Sequence, residues 1–281
     1  STQFNHDETN STVASRAEKG ESKFGYSPKF AGTVGAGIGI PDSSGFSLSD
    51  YTITGWFQQE GTGDNFNSGT GGINLVPFTS KGLPEADTDA ADIHWVVGMH
   101  ANGQTTLAAD IEYETGGAND PMLGARTISN NQWYHFGLRV DGSVDMKLYL
   151  DGWRDNTTTN TITDGPNTGG TMKAGIATGY NTSGTADGGF KGYLDELRIY
   201  KALMSDVWLR AEWYTADNGM VEWGAEATTS SALTVTASTT VLAFPAVNYS
   251  FNAQTSTAAN VGGTQVEGSG SWTFNLNCNV S

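Results

Sequence analysis

Cysteine is nearly absent from this sequence of 281 residues, because Cys278 is the single one. A lone cysteine cannot form a disulfide within the chain, so it gives no evidence for an oxidising compartment. The four histidines also lack the spacing that metal ligands require. The sequence therefore offers no cysteine-based metal centre and no redox pair.

Basic residues and long hydrophobic runs are also scarce. Only 14 Lys and Arg stand against 30 Asp and Glu, which gives a formal net charge of -16. Such a charge repels nucleic acid and anionic membrane surfaces, and it suits a neutral or cationic partner or a divalent cation. No run reaches the roughly 18 apolar residues of a membrane span, and no basic-then-apolar leader opens the chain. We expect neither a nucleic-acid partner nor membrane insertion.

Proline is rare as well, with 7 residues, whereas glycine is abundant, with 37. Short apolar runs alternate with clusters of Gly, Asn and Asp, and this pattern is typical of an all-β protein with many turns. The length is sufficient for one large β-sandwich with an appendage, or for two modest domains. Helix is predicted in roughly one segment.

Residues 192–214 contain a strand, a turn and a short helix in succession. The strand alternates β-forming side chains with the charged residues Asp195, Glu196 and Arg198, so one of its faces is predicted to be wet. Ser205 is expected to cap the helix, with Asp206 in the first turn and Arg210 toward the end. We interpret Asp195 and Glu196 as structural residues that pair with Arg198 or with nearby backbone amides.

Two further segments have recognisable patterns. Residues 46–58 predict a strand that carries Trp56, and residues 131–155 predict a hairpin that carries Trp133 and His135. In the second segment, Asp151-Gly152 is a dipeptide that favours a tight turn.

Together, the three segments resemble laminin-G-like domains of the concanavalin A-like lectin/glucanase superfamily, over about residues 24–215. The resemblance implies an all-β, concanavalin A-like antiparallel β-sandwich with one short C-terminal helix, and it implies that Trp56 and Trp133 are core residues. One departure is Phe30-Ala31-Gly32, where members often have Phe-Asp-Gly. The predicted organisation is an extended arm at 1–23, the sandwich at 24–226 and a β-rich extension at 227–281.

Both ends differ in composition from the sandwich. Residues 1–23 are polar and should be disordered alone or lie across a partner. Residues 227–281 are almost uncharged and contain short strand-like runs, so they should either form a small sheet or pair with another copy. We predict that both ends contact copies of the same chain or a larger protein assembly.

The hairpin at residues 91–114 is the main candidate for a ligand site. If Asn102-Gly103 is a two-residue turn, Trp95 lies opposite Asp110, and Ile93 lies opposite Glu112. Trp95, Asp110, Glu112 and Glu114 would then share one face, as an aromatic ring and acids do at a sugar-binding surface. The alternative is a buried Trp95 beside acids at a solvated edge.

Other candidate residues lie elsewhere in the chain. Trp153 follows a hairpin turn and is expected to be exposed, and Tyr180 is a further candidate for ligand contact. The acids of the Asp110, Glu112 and Glu114 strand also raise a glycoside hydrolase alternative. Their order differs from the Glu-x-Asp-x-(x)-Glu signature of glucanases in this superfamily, so we expect no enzyme activity.

Calcium is a separate prediction, since many laminin-G-like and pentraxin-like relatives carry a rim site of oxygen ligands. Two acidic loops supply such oxygens, and the candidate ligands are Asp64, Asn65, Asp87 and Asp89. Neither loop is a twelve-residue calcium loop, and a solvated acidic loop is the alternative.

The sequence therefore predicts a non-catalytic, surface-displayed recognition module that binds glycan or mediates adhesion. It would belong to a larger assembly such as a virion, as a phage capsid decoration or fibre protein, and would lie outside the cell or on the virion surface. The alternatives are a cell-surface adhesin domain, a structural knob without a ligand, and the glycoside hydrolase.

Overall fold

A computed structural model provides the structure of the chain. It describes residues 15–16, 22–84, 93–113, 118–142, 144–156, 160–162, 166 and 172–216, together with the backbone of strands at 222–223, 235–236, 249–255, 259–261, 264–266 and 270–276. The chain divides into two compact units, Ser1–Leu209 and Arg210–Ser281. Most of the predicted arm, residues 1–14 and 17–21, lies outside the described residues.

The first unit is built from short antiparallel strands and one 3-10 turn at Ser44–Phe46. In chain order the strands are β1 (Ser15–Arg16), β2 (Pro28–Ala31), β3 (Ile38–Ile40), β4 (Asp50–Gln59), β5 (Phe66–Asn67), β6 (Asn74–Lys81), β7 (Trp95–His100), β8 (Leu107–Asp110), β9 (Met122–Leu123), β10 (Trp133–Asp141), β11 (Asp145–Leu150), β12 (Trp153–Arg154), β13 (Asn160–Thr161), β14 (Ala174–Ile176), β15 (Gly179–Tyr180), β16 (Ala186–Asp187) and β17 (Lys191–Tyr200).

These strands form two main sheets. The first sheet has the order β1-β2-β17-β4-β10-β11-β12, with β13 also paired to β11. The second sheet has the order β3-β14-β6-β7-β8-β9, with β5 also paired to β6, and β15 and β16 form a separate pair. The connections cross between the sheets, so strands that are distant in sequence become neighbours.

The hydrophobic core lies between the two sheets. Side chains alternate along each strand, so Ile53 and Phe57 of β4 point inward together with Phe136 of β10. From the second sheet, Phe78 meets them, with ring centroids 4.5 Å from Phe57 and 5.0 Å from Phe136. The predicted antiparallel β-sandwich is confirmed.

Trp56 is buried, but it lies outside this core. It occupies the outward face of β4, beside the His135 ring at 5.3 Å. The ammonium group of Lys23 lies 4.2 Å from the Trp56 ring centroid, and Phe24 contacts the ring by its edge. Trp133 is half-buried, with its ring 6.1 Å from that of Tyr193. Trp56 is thus buried as predicted, whereas Trp133 is only half-buried, and neither belongs to the inter-sheet core, because even-numbered residues of β4 and odd-numbered residues of β10 face outward.

The closing strand β17 contains an irregularity between Asp195 and Arg198. Glu196 adopts a left-handed conformation there, with φ of 50°. The Asp195 carboxylate accepts hydrogen bonds from the backbone amides of Phe24, at 2.7 Å, and Glu196, at 2.9 Å. Glu196 pairs with Arg198. The structural role predicted for both acids agrees with these contacts, and burial raises the pKa of Asp195.

Helix α1 extends from Asp206 to Ala216. Ser205 caps it as predicted, since its Oγ accepts from the Trp208 amide at 3.1 Å. Arg210 lies in the middle of the helix rather than near its end, because the helix continues for longer than expected. Leu209 is fully buried, and the Tyr149 hydroxyl donates to Asp206 at 2.7 Å, so the first turn packs on the outward face of the first sheet.

The second unit contains β18 (Glu222–Trp223), β19 (Val235–Thr236), β20 (Tyr249–Thr255), β21 (Ala259–Val261), β22 (Thr264–Val266) and β23 (Gly270–Leu276). β20 pairs with β23 over seven residues, β21 pairs with β22, and β18 pairs with β19. Of the two options for the uncharged tail, its described strands therefore show pairing within the chain. In the part of the chain that the structure describes, no helix has the length and hydrophobicity of a membrane span.

Candidate ligand-binding site

The hairpin of β7 and β8 has a different register from the predicted one. Val96, rather than Trp95, lies opposite Asp110, and Val97 lies opposite Ala109. The turn is longer than two residues, because the amide of His100 donates to the carbonyl of Thr106 at 2.8 Å. The register prediction is therefore wrong by one residue, which reverses the faces of β7 relative to β8.

Gln104 provides the physical reason for this longer turn. It has a left-handed backbone with φ of 49° and is buried. Its side-chain amide donates to the Gly63 carbonyl and accepts from the Gly63 amide, both at 2.9 Å. This pair of hydrogen bonds fixes the turn against a segment 41 residues away in sequence, which local turn propensity does not reveal.

Trp95 consequently faces the core and is fully buried. Its ring lies 5.8 Å from Tyr51, 6.1 Å from Phe46 and 4.8 Å from His94. The predicted grouping of Trp95 with Asp110 and Glu112 is wrong, and the alternative of a buried Trp95 is confirmed.

Asp110 lies on the opposite face of β8 and is also fully buried. Its Oδ2 atom accepts from the Ser68 hydroxyl at 2.6 Å and from the Asn119 amide group at 3.0 Å, and its Oδ1 atom accepts from the Ile111 amide. Burial raises the pKa of Asp110 to about 7, because it disfavours the charged form more than these donors favour it. Asp110 therefore bonds to neighbouring segments of the same chain and does not face solvent.

Glu112 is equally inaccessible, with 2% of its surface exposed. Its carboxylate accepts from the Ile93 amide at 2.6 Å, and its own amide donates to the Ile93 carbonyl at 2.8 Å. The predicted proximity of Ile93 and Glu112 is thus found, although the acids are not at a solvated edge. Glu114 lies outside the described residues.

The segment after β5, residues 67–73, lies directly over Asp110, and we call it the Ser68 loop. The amide of Ser68 donates to the Ile73 carbonyl at 3.1 Å, and the amide of Ile73 donates to Ser68 Oγ at 2.6 Å. Asn119 donates to the Ser68 carbonyl at 3.0 Å. The loop is thus closed on itself and attached to Asp110 and Asn119.

The outer side of the Ser68 loop contributes to an open cavity of about 400 Å³. Three segments meet there: the Ser68 loop, the chain that follows β6, and the turn between β15 and β16. The lining residues are Asn67, Gly69, Thr70, Pro84, Asn181, Thr182 and Asp187. Except for Pro84 and Gly69, every one of them has a polar side chain.

Local turns decide which polar atoms of the cavity stay available. Asn67 Oδ1 accepts from the Gly69 amide, and Asn181 Oδ1 accepts from the amides of Ser183 and Thr185. Asp187 Oδ1 accepts from the Gly188 amide at 3.0 Å. Each side chain is oriented by these contacts, which leaves two amide NH2 groups as donors and Asp187 Oδ2 as an acceptor.

The two remaining aromatic candidates do not line this cavity. Tyr180 is buried, with Lys173 4.4 Å above its ring, and burial raises its pKa to about 12. It precedes Asn181, and its hydroxyl donates to the Ala174 carbonyl of β14 at 3.4 Å. Trp153 is 45% exposed, as predicted, and it lies on β12 at the edge of the first sheet.

The predicted calcium ligands have structural contacts where they are described. The Asp64 amide donates to the carbonyls of Gly32 and Gly189, and its carboxylate accepts from the Val34 amide at 3.0 Å. Asn65 accepts from Gln104 at 3.4 Å. Asp87 and Asp89 lie outside the described residues. Within the described ranges, no group of three or more His, Cys, Asp or Glu residues is placed to hold a metal ion.

The family follows from the sequence as well as from the sandwich. A family model described as the concanavalin A-like lectin/glucanases superfamily matches residues 32–209. The chain belongs to this superfamily. A comparison with curated proteins finds no match.

Two solved structures have a similar fold. The binding domain of Paraclostridial Mosquitocidal Protein 1 has a TM-score of 0.51 and 15% identity, over 77% of this chain and 49% of that chain. The Botulinum Neurotoxin serotype G binding domain has a TM-score of 0.50 and 9% identity, over 77% of this chain and 48% of that chain. This chain thus covers about half the length of either domain, and at such identities the likeness concerns the fold alone.

Sequence reasoning missed the cavity residues Asn67, Asn181 and Asp187. Their signal was present as Asn-Ser-Gly at 67–69 and Asn-Thr-Ser at 181–183, since both clusters are typical of turns. That two turns more than a hundred residues apart meet beside Pro84 depends on the order of the strands. Local patterns do not contain that order.

Proposed function

We propose that this chain is a non-catalytic recognition module that binds a neutral, hydroxyl-rich ligand, a saccharide, in the cavity of Asn67, Asn181 and Asp187. The observation that carries this proposal is the set of oriented polar atoms, two amide donors and one carboxylate acceptor. A sugar hydroxyl both donates and accepts, so neighbouring hydroxyls can pair with an Asp oxygen and an Asn amide together.

The size and lining of the cavity support a small ligand or the end of a chain. A volume of about 400 Å³ lies within the usual range for small-molecule sites. No aromatic ring is among the lining residues that the structure describes, so a single site lacks stacking energy. We therefore expect weak binding per site and strong binding only when several copies act together.

The fold supports the same class of function by analogy. The superfamily includes lectins, and the two solved structures above are named as binding domains. One fold carries many functions, so the analogy supports recognition without identifying the ligand.

The glycoside hydrolase alternative loses support from the placement of its acids. Asp110 and Glu112 are buried, and the carboxylate of each accepts hydrogen bonds from other groups of the protein. A retaining hydrolase needs two carboxyl groups that reach the substrate from an open cleft. We therefore propose recognition rather than catalysis.

We propose that the module acts at the surface of a larger assembly, as a phage capsid decoration or fibre protein on a virion. This proposal rests on the polar residues 1–23 and the uncharged residues 227–281, which suit contact with other copies. The same two terminal segments are also compatible with a cell-surface adhesin domain. The structural alternative is a protective knob without a ligand.

A glycan array tests the proposed site. The full-length chain and Asp187→Asn should be compared, because Asn keeps the Oδ1 acceptor for Gly188 and replaces the charged Oδ2 acceptor with an amide NH2 group. We expect the wild-type chain to bind at least one saccharide, and Asp187→Asn to bind about tenfold less tightly, since a hydrogen bond to a charged group is lost.

Trp153→Ala serves as the matched control, because Trp153 is exposed and lies on the other sheet. It should bind as the wild type does. Loss of binding in Trp153→Ala alone would move the site to β12, and a wild-type chain that binds no saccharide would favour the knob.

Calcium is a separate proposal for the acidic loops that contain Asp64, Asn65, Asp87 and Asp89. Pro84, which lines the cavity, immediately precedes the second loop in sequence. A bound ion should raise the melting temperature in calcium over that in EDTA, by an amount that grows with the logarithm of the free calcium concentration above Kd. Equal melting temperatures in both solutions would remove the metal from the proposal.

A further inference from the structure

The Ser68 loop forms one wall of the proposed cavity, and a single buried acid lies beneath it. Asn67, Gly69 and Thr70 line the cavity on the outer side, while Ser68 turns inward to Asp110. We infer that Asp110 is a positioning residue for this wall, and that its neutral acid holds the loop closed more firmly than its carboxylate does. The effect on ligand binding rests on the proposed function, whereas the effect on the loop does not.

The loop lies close to Asp110 at Gly72 as well as at Ser68. A Cβ atom placed on Gly72 would lie 2.3 Å from Ser68 Oγ and 2.7 Å from Asp110 Oδ2. The backbone of the loop is therefore in direct contact with the acid. We therefore expect the position of the carboxyl group to affect the position of the Ser68 loop.

The hydrogen bonds at Ser68 are compatible with the neutral form, although burial is what favours it. Ser68 Oγ lies 2.6 Å from Asp110 Oδ2, 2.9 Å from the Ile73 carbonyl and 2.6 Å from the Ile73 amide. When Asp110 is protonated, its hydroxyl donates to Ser68 Oγ, and Ser68 is free to donate to the Ile73 carbonyl. When Asp110 is ionised, the Ser68 hydrogen turns to the carboxylate, and the bond from the Ser68 hydroxyl to the Ile73 carbonyl is lost, while the two bonds that involve the Ser68 and Ile73 amides remain.

Burial and the neighbouring negative charge both disfavour ionisation of Asp110. The Ser68 loop contributes no charged residue, and the neighbouring acids are Glu112 on the same chain segment and Asp120 after Asn119, with Tyr113 between. Asp120 disfavours ionisation of Asp110 through its charge, whereas Ser68 and Asn119 favour it through hydrogen bonds. Burial is the largest effect, and it raises the pKa of Asp110 to about 7.

The direction of the pH dependence follows from linkage. An open loop lets water reach Asp110 and returns its pKa toward the ordinary value of about 4. The closed loop then binds the proton more tightly than the open loop does. The equilibrium constant for loop closure is therefore largest below about pH 4. It falls by up to tenfold per pH unit as the pH rises, and it becomes constant above about pH 7.

Amide hydrogen exchange on the full-length chain, without ligand, tests this inference. The amides to follow are those of Ser68 and Ile73, because both bond within the loop. After correction for intrinsic exchange, their opening constants should rise by about tenfold or more between pH 5 and pH 7. In Asp110→Asn, which cannot ionise, we expect the same constants to be independent of pH.

Asp195→Asn is the matched control, because Asp195 is a second largely buried acid, bonded to backbone amides on the other sheet. It should leave the pH profile of the loop unchanged. A flat profile in the wild-type chain overturns the inference, even if Asp110→Asn fails to fold. A profile that persists in folded Asp110→Asn overturns it too.

Glycan arrays at pH 5 and pH 7.5 separate this inference from the proposed function. Both stand if the wild-type chain binds saccharide more weakly at pH 7.5 and Asp110→Asn does not. If the loop profile is found but no saccharide binds at either pH, the positioning role stands and the proposed function fails. If saccharide binds equally at both values and the loop profile is flat, the proposed function stands and the positioning role fails.

Discussion

At the scale of single residues, Gln104 has a large influence on the candidate site. Its two hydrogen bonds to Gly63 lengthen the β7–β8 turn and thereby decide that Trp95 faces the core while Asp110 faces the Ser68 loop. One side chain thus separates the aromatic residue from the acids that the sequence pattern had grouped. The sugar-binding arrangement predicted for this hairpin depends on a turn that Gln104 does not allow.

Gln104→Ala should lower the free energy of unfolding by about 2 kcal/mol. Two buried hydrogen bonds to Gly63 are lost, which leaves the buried amide and carbonyl of Gly63 without these partners. Urea unfolding at neutral pH measures this change. Asn102→Ala is the control, since Asn102 is exposed in the same turn and its replacement should lower the free energy of unfolding only slightly. Equal decreases for both variants would show that Gln104 does not determine the turn.

His94 makes the free energy of unfolding depend on pH. Its Nε2 atom pairs with the Leu48 carbonyl, and burial lowers its pKa to about 4. A folded-state pKa below the ordinary value means that the neutral ring is favoured, so stability is complete above about pH 6.5 and falls toward pH 4. The full effect is about 3 kcal/mol by linkage. Asp110 acts with the opposite sign in the same range, and the two effects partly cancel.

We therefore expect the difference in unfolding free energy between wild type and His94→Gln to change with pH. Glutamine keeps a donor for Leu48 but takes up no proton, so its relative stability should improve from pH 7 to pH 4.5. Urea unfolding at several pH values measures the difference. A constant difference would mean that His94 is not buried as a neutral ring.

The conformation and burial of a residue were predictable where its neighbours in sequence determine them. They were not predictable where contacts with distant segments determine them. The turn at Asp151-Gly152 has positive φ at both positions, as its composition indicated, and it leaves Trp153 exposed. The burial of Trp95 and the gathering of Asn67 with Asn181 depend on contacts between strands far apart in the chain. No window of local sequence contains that information.

At the scale of elements, the segment from β17 to α1 was the best predicted part of the chain. A strand with β-forming residues, a serine cap and an acidic first turn are local features, and each is found. The irregularity at Asp195 was not predicted, because it depends on the amide of Phe24, which belongs to a segment 171 residues away.

Ser205→Ala should lower the free energy of unfolding by about 1 kcal/mol. The Ser205 hydroxyl accepts from the Trp208 amide, and alanine leaves that donor without its cap. Because Leu209 is buried one turn later, loosening of the helix start should also reduce packing on the first sheet. Thermal melting followed by circular dichroism measures the effect, and Ser129→Ala, at an exposed loop position, should leave the midpoint unchanged.

At the scale of the whole molecule, the sandwich and the tail have different sources of stability. The sandwich buries an extensive apolar core between its sheets, which suffices for an independent domain. The described tail strands form two-stranded ladders only, and an isolated ladder of this kind is marginal in water. The sandwich was predictable because its pattern repeats along the chain, whereas the arrangement of the tail depends on what its strands meet.

The longest tail ladder joins Tyr249–Thr255 to Gly270–Leu276, and among the described strands no third strand covers either edge. Residues 227–281 also contain a single charged side chain, Glu267, so charge repulsion does not protect these edges. We therefore expect tails of different copies to pair.

A chain that ends at residue 221 should keep the melting temperature of the sandwich and sediment as a single copy, while the full chain sediments as an oligomer. The control is a chain that begins at Ser22, which keeps Lys23 over Trp56 and should still form the oligomer through its tail. If the two truncated chains and the full chain sediment alike, the tail does not mediate assembly.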